Sequence, residues 1–130
     1  MNINDVKRKH LLYAIKWCYD KWGFSLYNPY YQIPREIPKL VIKTGKSKTR
    51  GTFNPENNTI IVYKNANPCA VNYLSTILHE YTHYLQDMEE YNLYLDMSHD
   101  AHPYEIIAYE IESNHKRELK KAVQKYFKIK

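Results

Sequence analysis

Two histidines four residues apart, His79 and His83, with Glu80 beside the first, are the residues of this chain best suited to chemistry. On a helix that spacing puts both imidazoles on one face, one turn apart, where they can hold a single ion. Glu80 can then reach a water beside the same ion. H-E-x-x-H is the arrangement of two zinc ligands and a general base for hydrolysis. It works only on a helix, and the surrounding sequence reads as one. Asn67-Pro68 offers a cap and a proline at the first helical position. Leu74, Ile77, Leu78, Tyr81, Leu85 and Met88 then recur at helical spacing, with no Gly or Pro in residues 69–90. The bland alternative is two solvent-facing histidines on an amphipathic helix. The metal reading is preferred because the context it requires is present.

Catalytic zinc takes three protein ligands and a water. Candidates for the third are Asp87, His99, His102, Glu105, Glu110 and Glu112. A third histidine six residues after His83 is absent, since position 89 is Glu and position 86 is Gln. Glu105 is the choice. It falls in the first turn of a later helix, after a loop long enough to fold back. Ala108, three residues on, would let two helices approach closely. His99 and His102 are the alternatives. Asp87 lies too far along the first helix, and Glu110 points elsewhere. Glu112 could orient a histidine ligand from outside the metal shell.

The elements that must position these residues follow in chain order. Residues 4–22 read as a helix, capped by Asn4 and stopped at Gly23. Three prolines within residues 24–39 exclude a helix there. Leu40-Val41-Ile42 is a short strand. Residues 43–51 form a basic turn with Lys43, Lys46, Lys48 and Arg50, without the spacing of a P-loop. Residues 51–63 read as a hairpin, and the β-branched strand Thr59 to Tyr63 is a place where an extended peptide could add near the metal. An acidic segment runs from Asp87 to His102, with Leu93, Leu95 and Met97 tucked in. The last helix starts at Pro103, capped by Asp100 or His102, and runs towards Lys128. Ile106, Ile107, Ala108, Ile111, Leu119, Val123 and Phe127 mark its buried stripe. The expected fold is α+β, a small antiparallel sheet of two to four strands packed by three helices, with H-E-x-x-H on the central one.

A chain of 130 residues, 44% hydrophobic, is expected to be one globular domain spanning residues 1–130. No run approaches the ~20 apolar residues of a membrane span. No signal peptide is evident at the N-terminus, so a cytoplasmic location is expected. Cys18 and Cys69 both sit in apolar helical patterns and read as buried free thiols. The formal net charge of +5 hides an asymmetry. No Lys or Arg lies between Asn65 and His115, where nine acids lie, so the metal region is acidic and both flanks are basic. The flanks could meet nucleic acid, although a solvated face is the commoner explanation. Fourteen tyrosines against three phenylalanines supply packing residues with polar tips.

His79-Glu80-x-x-His83 followed by Pro103-Tyr104-Glu105-Ile106-Ile107-Ala108 resembles the gluzincin type of metallopeptidase. It looks most like the compact zincin-like domains of bacterial and phage proteins, and the hairpin before the helix is similar to theirs. The likeness covers roughly residues 40–112. It implies zinc held by His79, His83 and Glu105, with Glu80 as base, in a minimal zincin-like fold that hydrolyses peptide bonds of a protein or peptide substrate. Tyr104, Tyr109, His99 and His102 are candidates by position for a second donor to the oxyanion. The chain lacks the Asn-Glu-x-x-Ser-Asp run and the second lobe of thermolysin-like enzymes. Two rival readings are a non-catalytic zincin-fold binding module, for example in a virion or assembly, and a DNA-associated protease using the basic flanks.

Overall fold

The computed structural model describes residues 2–27 and 36–129. The first helix is shorter than its sequence pattern. A 3-10 turn at Ile3–Asp5 is capped by Asn2, not Asn4, whose backbone N–H donates to the Asn2 side chain at 2.9 Å. Val6 is then extended and buried, so α1 runs Arg8–Trp22. His10 Nδ1 accepts the Lys7 backbone N–H at 2.7 Å and steadies the first turn. Gly23 closes the helix at φ 77°, a conformation that costs little only for glycine, and its N–H reaches the Tyr19 carbonyl at 2.7 Å.

Three strands follow: β1 (Lys39–Lys43), β2 (Gly51–Asn54) and β3 (Thr59–Tyr63). They lie in the order β1-β3-β2. β2 and β3 form the expected antiparallel hairpin, with Phe53 opposite Ile60. β1, however, runs parallel to β3, with Lys39 opposite Thr59 and Lys43 opposite Tyr63. The sheet is therefore mixed, which corrects the antiparallel expectation. The cause is topological: parallel neighbours need a crossover, and β2 itself supplies it by pairing on the far side of β3. Asn58 locks the arrangement. It takes the left-handed conformation that Asn tolerates, its amide donates to the carbonyls of Glu36 and Ile37 at 3.2 and 3.3 Å, and its carbonyl accepts the Lys39 N–H at 2.8 Å.

The central helix, α2, spans Ala70–Leu85, with Cys69 at its N-cap and Pro68 just outside it. Cys69 is exposed rather than buried, because the cap lies at the surface; Cys18 is buried, and both thiols are free. Every residue from Tyr73 to Tyr84 is buried, as expected of a helix enclosed on all sides. α2 packs chiefly on α4, then on α1, and lies across β2 and β3. A short α3 (Met88–Tyr91) follows, capped by Asp87. α4 spans Pro103–Tyr126, with proline in its first turn and His102 Nδ1 accepting the Tyr104 N–H at 3.2 Å.

The buried stripe of α4 is narrower than its sequence suggests. Ala108, Leu119 and Val123 are buried, but Ile106 and Ile107 are exposed, because Glu105 and Ala108 occupy the line of contact with α2. Leu93, Leu95 and Met97 are also exposed rather than tucked in. The architecture is thus α+β, with four helices on a three-stranded mixed sheet among the described residues. No helix among the described residues is long and apolar enough to cross a membrane.

Burial lowers the pKa of His10, with Lys9 and Lys7 adding to the effect. Its folded value lies below its unfolded one, so its contribution is present above the ordinary histidine pKa, about 6.5, and is lost as pH falls through the folded value. Wild type is expected to lose more stability than His10→Asn, which keeps an acceptor for the Lys7 N–H, between about pH 7.5 and 5.5. Urea midpoints of both proteins at each pH measure this, and equal losses would refute it.

Candidate metal centre

α2 places His79 and His83 one turn apart, with their ring centroids separated by 4.9 Å. The first turn of α4 brings Glu105 across to meet them. Glu105 Oε1 lies 2.9 Å from His79 Nε2 and 3.0 Å from His83 Nε2. Ala108 is fully buried one turn further on, so no side chain holds the two helices apart. His79, Glu80 and His83 also offer ligand atoms that all lie within 4.8 Å of one another. By distance alone Glu80 could complete a metal set. Glu105 is the carboxylate in contact with both ring nitrogens.

The other ring nitrogens fix the tautomers. Gln86 Nε2 donates to the Tyr104 carbonyl at 3.0 Å, so its Oε1, 2.7 Å from His83 Nδ1, is the acceptor. His83 Nδ1 therefore carries a hydrogen, and its Nε2 is left with a lone pair when the ring is neutral. His79 Nδ1 donates likewise to Glu112 Oε1 at 3.1 Å. Glu112 is held in turn by Arg50 Nη2, at 2.7 and 2.9 Å from its two oxygens, and by Ser75 Oγ at 3.2 Å. Two lone pairs and a carboxylate oxygen consequently point at one place. Three acceptors facing each other in a buried site require a cation between them, either a proton or a metal ion. Two nitrogens and one carboxylate oxygen are a fitting donor set for zinc, with both histidines supported from behind.

The electrostatics agree. Burial opposes charge on His79, but the carboxylates of Glu105 and Glu112 outweigh it and push its pKa up to about 9. Burial alone would raise Glu105, yet hydrogen bonds from His79 and His83 hold it well below the usual carboxylate range. Glu80 goes the other way. Its burial raises its pKa despite the two histidines. Its carboxylate makes no hydrogen bond among the described residues, which leaves it available to a water.

These groups open onto a cleft of about 510 Å³. One wall is Lys48 to Phe53, the other Met88, Tyr91, His99 and Tyr109. β3 is the middle strand, so the strand that borders the cleft with a free edge is β2, not the Thr59–Tyr63 strand suggested by the sequence. Of the four auxiliary candidates, two face the cleft. His99 Nε2 lies 3.0 Å from Glu105 Oε2, and the Tyr109 hydroxyl lies 3.2 Å from His99 Nδ1. His102 is turned away, with its Nε2 donating to the Tyr91 carbonyl at 3.0 Å. Tyr104 lies in a separate apolar groove beside Trp22 and Ile107. Asp87 caps α3, and Glu110 is exposed.

Three contributors escaped sequence reasoning. The Tyr91 hydroxyl donates to Glu105 Oε2. Gln86 orients His83, and Arg50 braces Glu112. Gln86 follows His83 by three residues, but it is the extended C-cap of α2, and helical spacing alone does not place its side chain on the ring. Tyr91 is one of fourteen tyrosines and carries no spacing signal.

Gly51 lets β2 lie against the base. A methyl group there would stand 2.5 Å from Thr76 Cγ2, 3.0 Å from the Ile61 carbonyl and 3.3 Å from Glu80 Cγ. Thr76 is held in place, because its hydroxyl donates to Asn67 Oδ1 at 2.7 Å, with the Asn72 carbonyl also within reach at 2.9 Å. Gly51→Ala is expected to destabilise the fold by about 1–3 kcal/mol, and adding Thr76→Ser, which deletes the clashing methyl alone, to recover most of it. Denaturant midpoints of the single and double variants test this; a harmless Gly51→Ala would contradict the close approach. No family model, curated protein or solved structure matches the chain.

Proposed function

We propose that the protein is a zinc-dependent peptidase. The observation that carries this reading is the convergence of His79 Nε2, His83 Nε2 and Glu105 Oε1 on one point, with both Nδ1 hydrogens already committed elsewhere. These three residues would hold a zinc ion, which would supply Lewis acidity for hydrolysis. Glu80 stands beside them with an uncommitted carboxylate and a raised pKa, the two properties wanted in a general base. It would take the proton of the attacking water and return it to the leaving amine. Tyr109, at the cleft wall, is the hydroxyl best placed to donate to the oxyanion. The free edge of β2 offers backbone groups on which an extended peptide could align its scissile bond over Glu80. Tyr91 and Glu112 would serve as positioning residues for Glu105 and His79.

Metal content by mass spectrometry should give about one zinc per chain in wild type and almost none in His83→Ala or Glu105→Ala. Glu80→Gln should keep its zinc while peptide hydrolysis falls by at least about 100-fold. Glu112→Gln should weaken zinc about 10- to 100-fold with the fold intact. A wild type that stays metal-free after reconstitution would end the enzyme reading, and a Glu80→Gln protein with full activity would remove Glu80 as base.

A further inference from the structure

The two basic flanks of the sequence meet in space. α1 and the C-terminal half of α4 lie side by side: His10 packs edge-on against Phe127 at 4.6 Å, Tyr13 stacks on Tyr126 at 4.5 Å, and Lys21 pairs with Glu118 at 3.2 Å. Residues 1–27 and 113–130 together hold twelve of the chain's nineteen Lys and Arg residues and only three of its fourteen acids. The remainder of the chain is acidic on balance. Most of the positive charge is therefore carried by these two adjacent segments.

Helical spacing orders that face. Lys9, Tyr13 and Lys16 fall four and three residues apart and share one side of α1. Arg117, Lys121 and Lys125 form an exposed row on α4, and Lys128 is exposed just beyond its end. None of these four cations has an ion pair among the described residues, whereas Lys16 shares its charge with Asp20 at 3.4 Å. Between the rows stands the Tyr13–Tyr126 stack, its rings 28° from parallel and Tyr126 65% exposed. The end of α4 is fixed rather than frayed. Lys128 takes the left-handed conformation, its N–H reaches the Lys125 carbonyl at 3.3 Å, and the Ile129 N–H reaches the Gln124 carbonyl at 2.8 Å, the paired bonds of a Schellman motif.

We infer that this face binds single-stranded nucleic acid, with the lysine rows taking successive phosphates and Tyr126 extending its stack onto an unpaired base. The chemistry on the surface matches that ligand: cations at intervals along a track, with a rigid aromatic face between them. An anionic bilayer would call for large aliphatic side chains among the lysines. Here the ring cluster is Tyr13 and Tyr126 with half-buried Phe127 beside them, and Lys9 Nζ lies 5.4 Å from the Phe127 ring. A duplex would offer no free base to the ring. Tyr126 lies 21 residues from Glu105 on the same helix, about 30 Å along its axis, so this face is separate from the metal cleft and the inference does not depend on the peptidase reading.

The test is fluorescence anisotropy with labelled oligo-dT and oligo-U of about 20 nucleotides, a duplex of equal length, and sedimentation with phosphatidylserine vesicles, at about 50–200 mM salt. Binding to one or both single strands should exceed binding to duplex and vesicles, and the preferred strand identifies DNA or RNA as the source. Neutralising about four phosphates should weaken binding roughly fifty-fold across that salt range. Tyr126→Ala should cost roughly tenfold with the salt slope unchanged, and Tyr126→Phe should restore it. The double variant Lys121→Gln/Lys125→Gln should reduce the slope by about 1.4, with circular dichroism confirming its fold. Lys43→Gln/Lys46→Gln, on the basic turn between β1 and β2, should leave binding unchanged. The inference is overturned by absence of binding at the lowest salt, by indifference to Tyr126→Ala, by loss of binding in the turn variant instead, or by equal binding to duplex or vesicles.

Discussion

The structure turns on one constraint: its most enclosed helix carries three ionisable side chains. Burying a polar or charged group without a partner costs several kcal/mol, enough to consume much of the stability of a domain this size. His79, Glu80 and His83 are all buried on α2. The two histidines are reconciled with burial by Glu105 on one side and by Glu112 and Gln86 on the other. That requirement dictates the close packing of α4 on α2, the small residue at Ala108, and the choice of α4's first turn as the place where a short glutamate can reach across. Glu80 is the exception, a buried carboxylate with no hydrogen bond among the described residues. It lines the open cleft, so water or a ligand there can satisfy its oxygens.

The sheet serves the same centre less directly. Asn67 was expected as a helix cap, yet its side chain works as a strut. Its amide donates to the carbonyls of Arg50 and Tyr63 at 3.1 and 2.7 Å, and its oxygen accepts from Thr76. One side chain thus ties β2, β3 and α2 together at the level of Gly51. Arg50, next to it, reaches Glu112 and through it His79. The residue beside the cleft strand and the His79 ring share a chain of charge-assisted hydrogen bonds through Glu112, which are stronger than neutral ones.

How much of this the sequence disclosed depended on whether a feature had a local signature. The H-E-x-x-H helix, the hairpin and Pro103 at the start of α4 are set by spacing and backbone chemistry within a few residues, and were legible. Glu105 was reachable by one step of reasoning about how a later helix returns. The direction of β1 was not, because Leu40-Val41-Ile42 looks the same in a parallel or antiparallel pair. Ile106 and Ile107 misled, since hydrophobicity marks a helix face only when a neighbour covers it, and α2 is met by Glu105 and Ala108 instead. Cys69 misled because its apolar neighbours belong to the helix it caps. Tyr91 and Arg50 act across loops of unpredictable course, and nothing in their own neighbourhoods marks them.

α4 joins the two charged regions of the molecule. Its first turn puts an acid against two imidazoles, where nine acids and no Lys or Arg lie between Asn65 and His115; its last turns gather lysines beside α1. The macrodipole favours this polarity, since it rewards Glu105 near the N-terminus and Lys125 near the C-terminus. The cleft itself is mixed in charge, with Lys48 and Arg50 on one wall and Glu80 and Glu105 at its base. If both proposals hold, a polyanion would gather at the far end of the same helix, and the two surfaces would not compete for one ligand. The interval between them is set by a rigid element rather than by a linker. If both proposals hold, a strand bound at Tyr126 would lie at a fixed distance from the cleft, with α4 setting the interval.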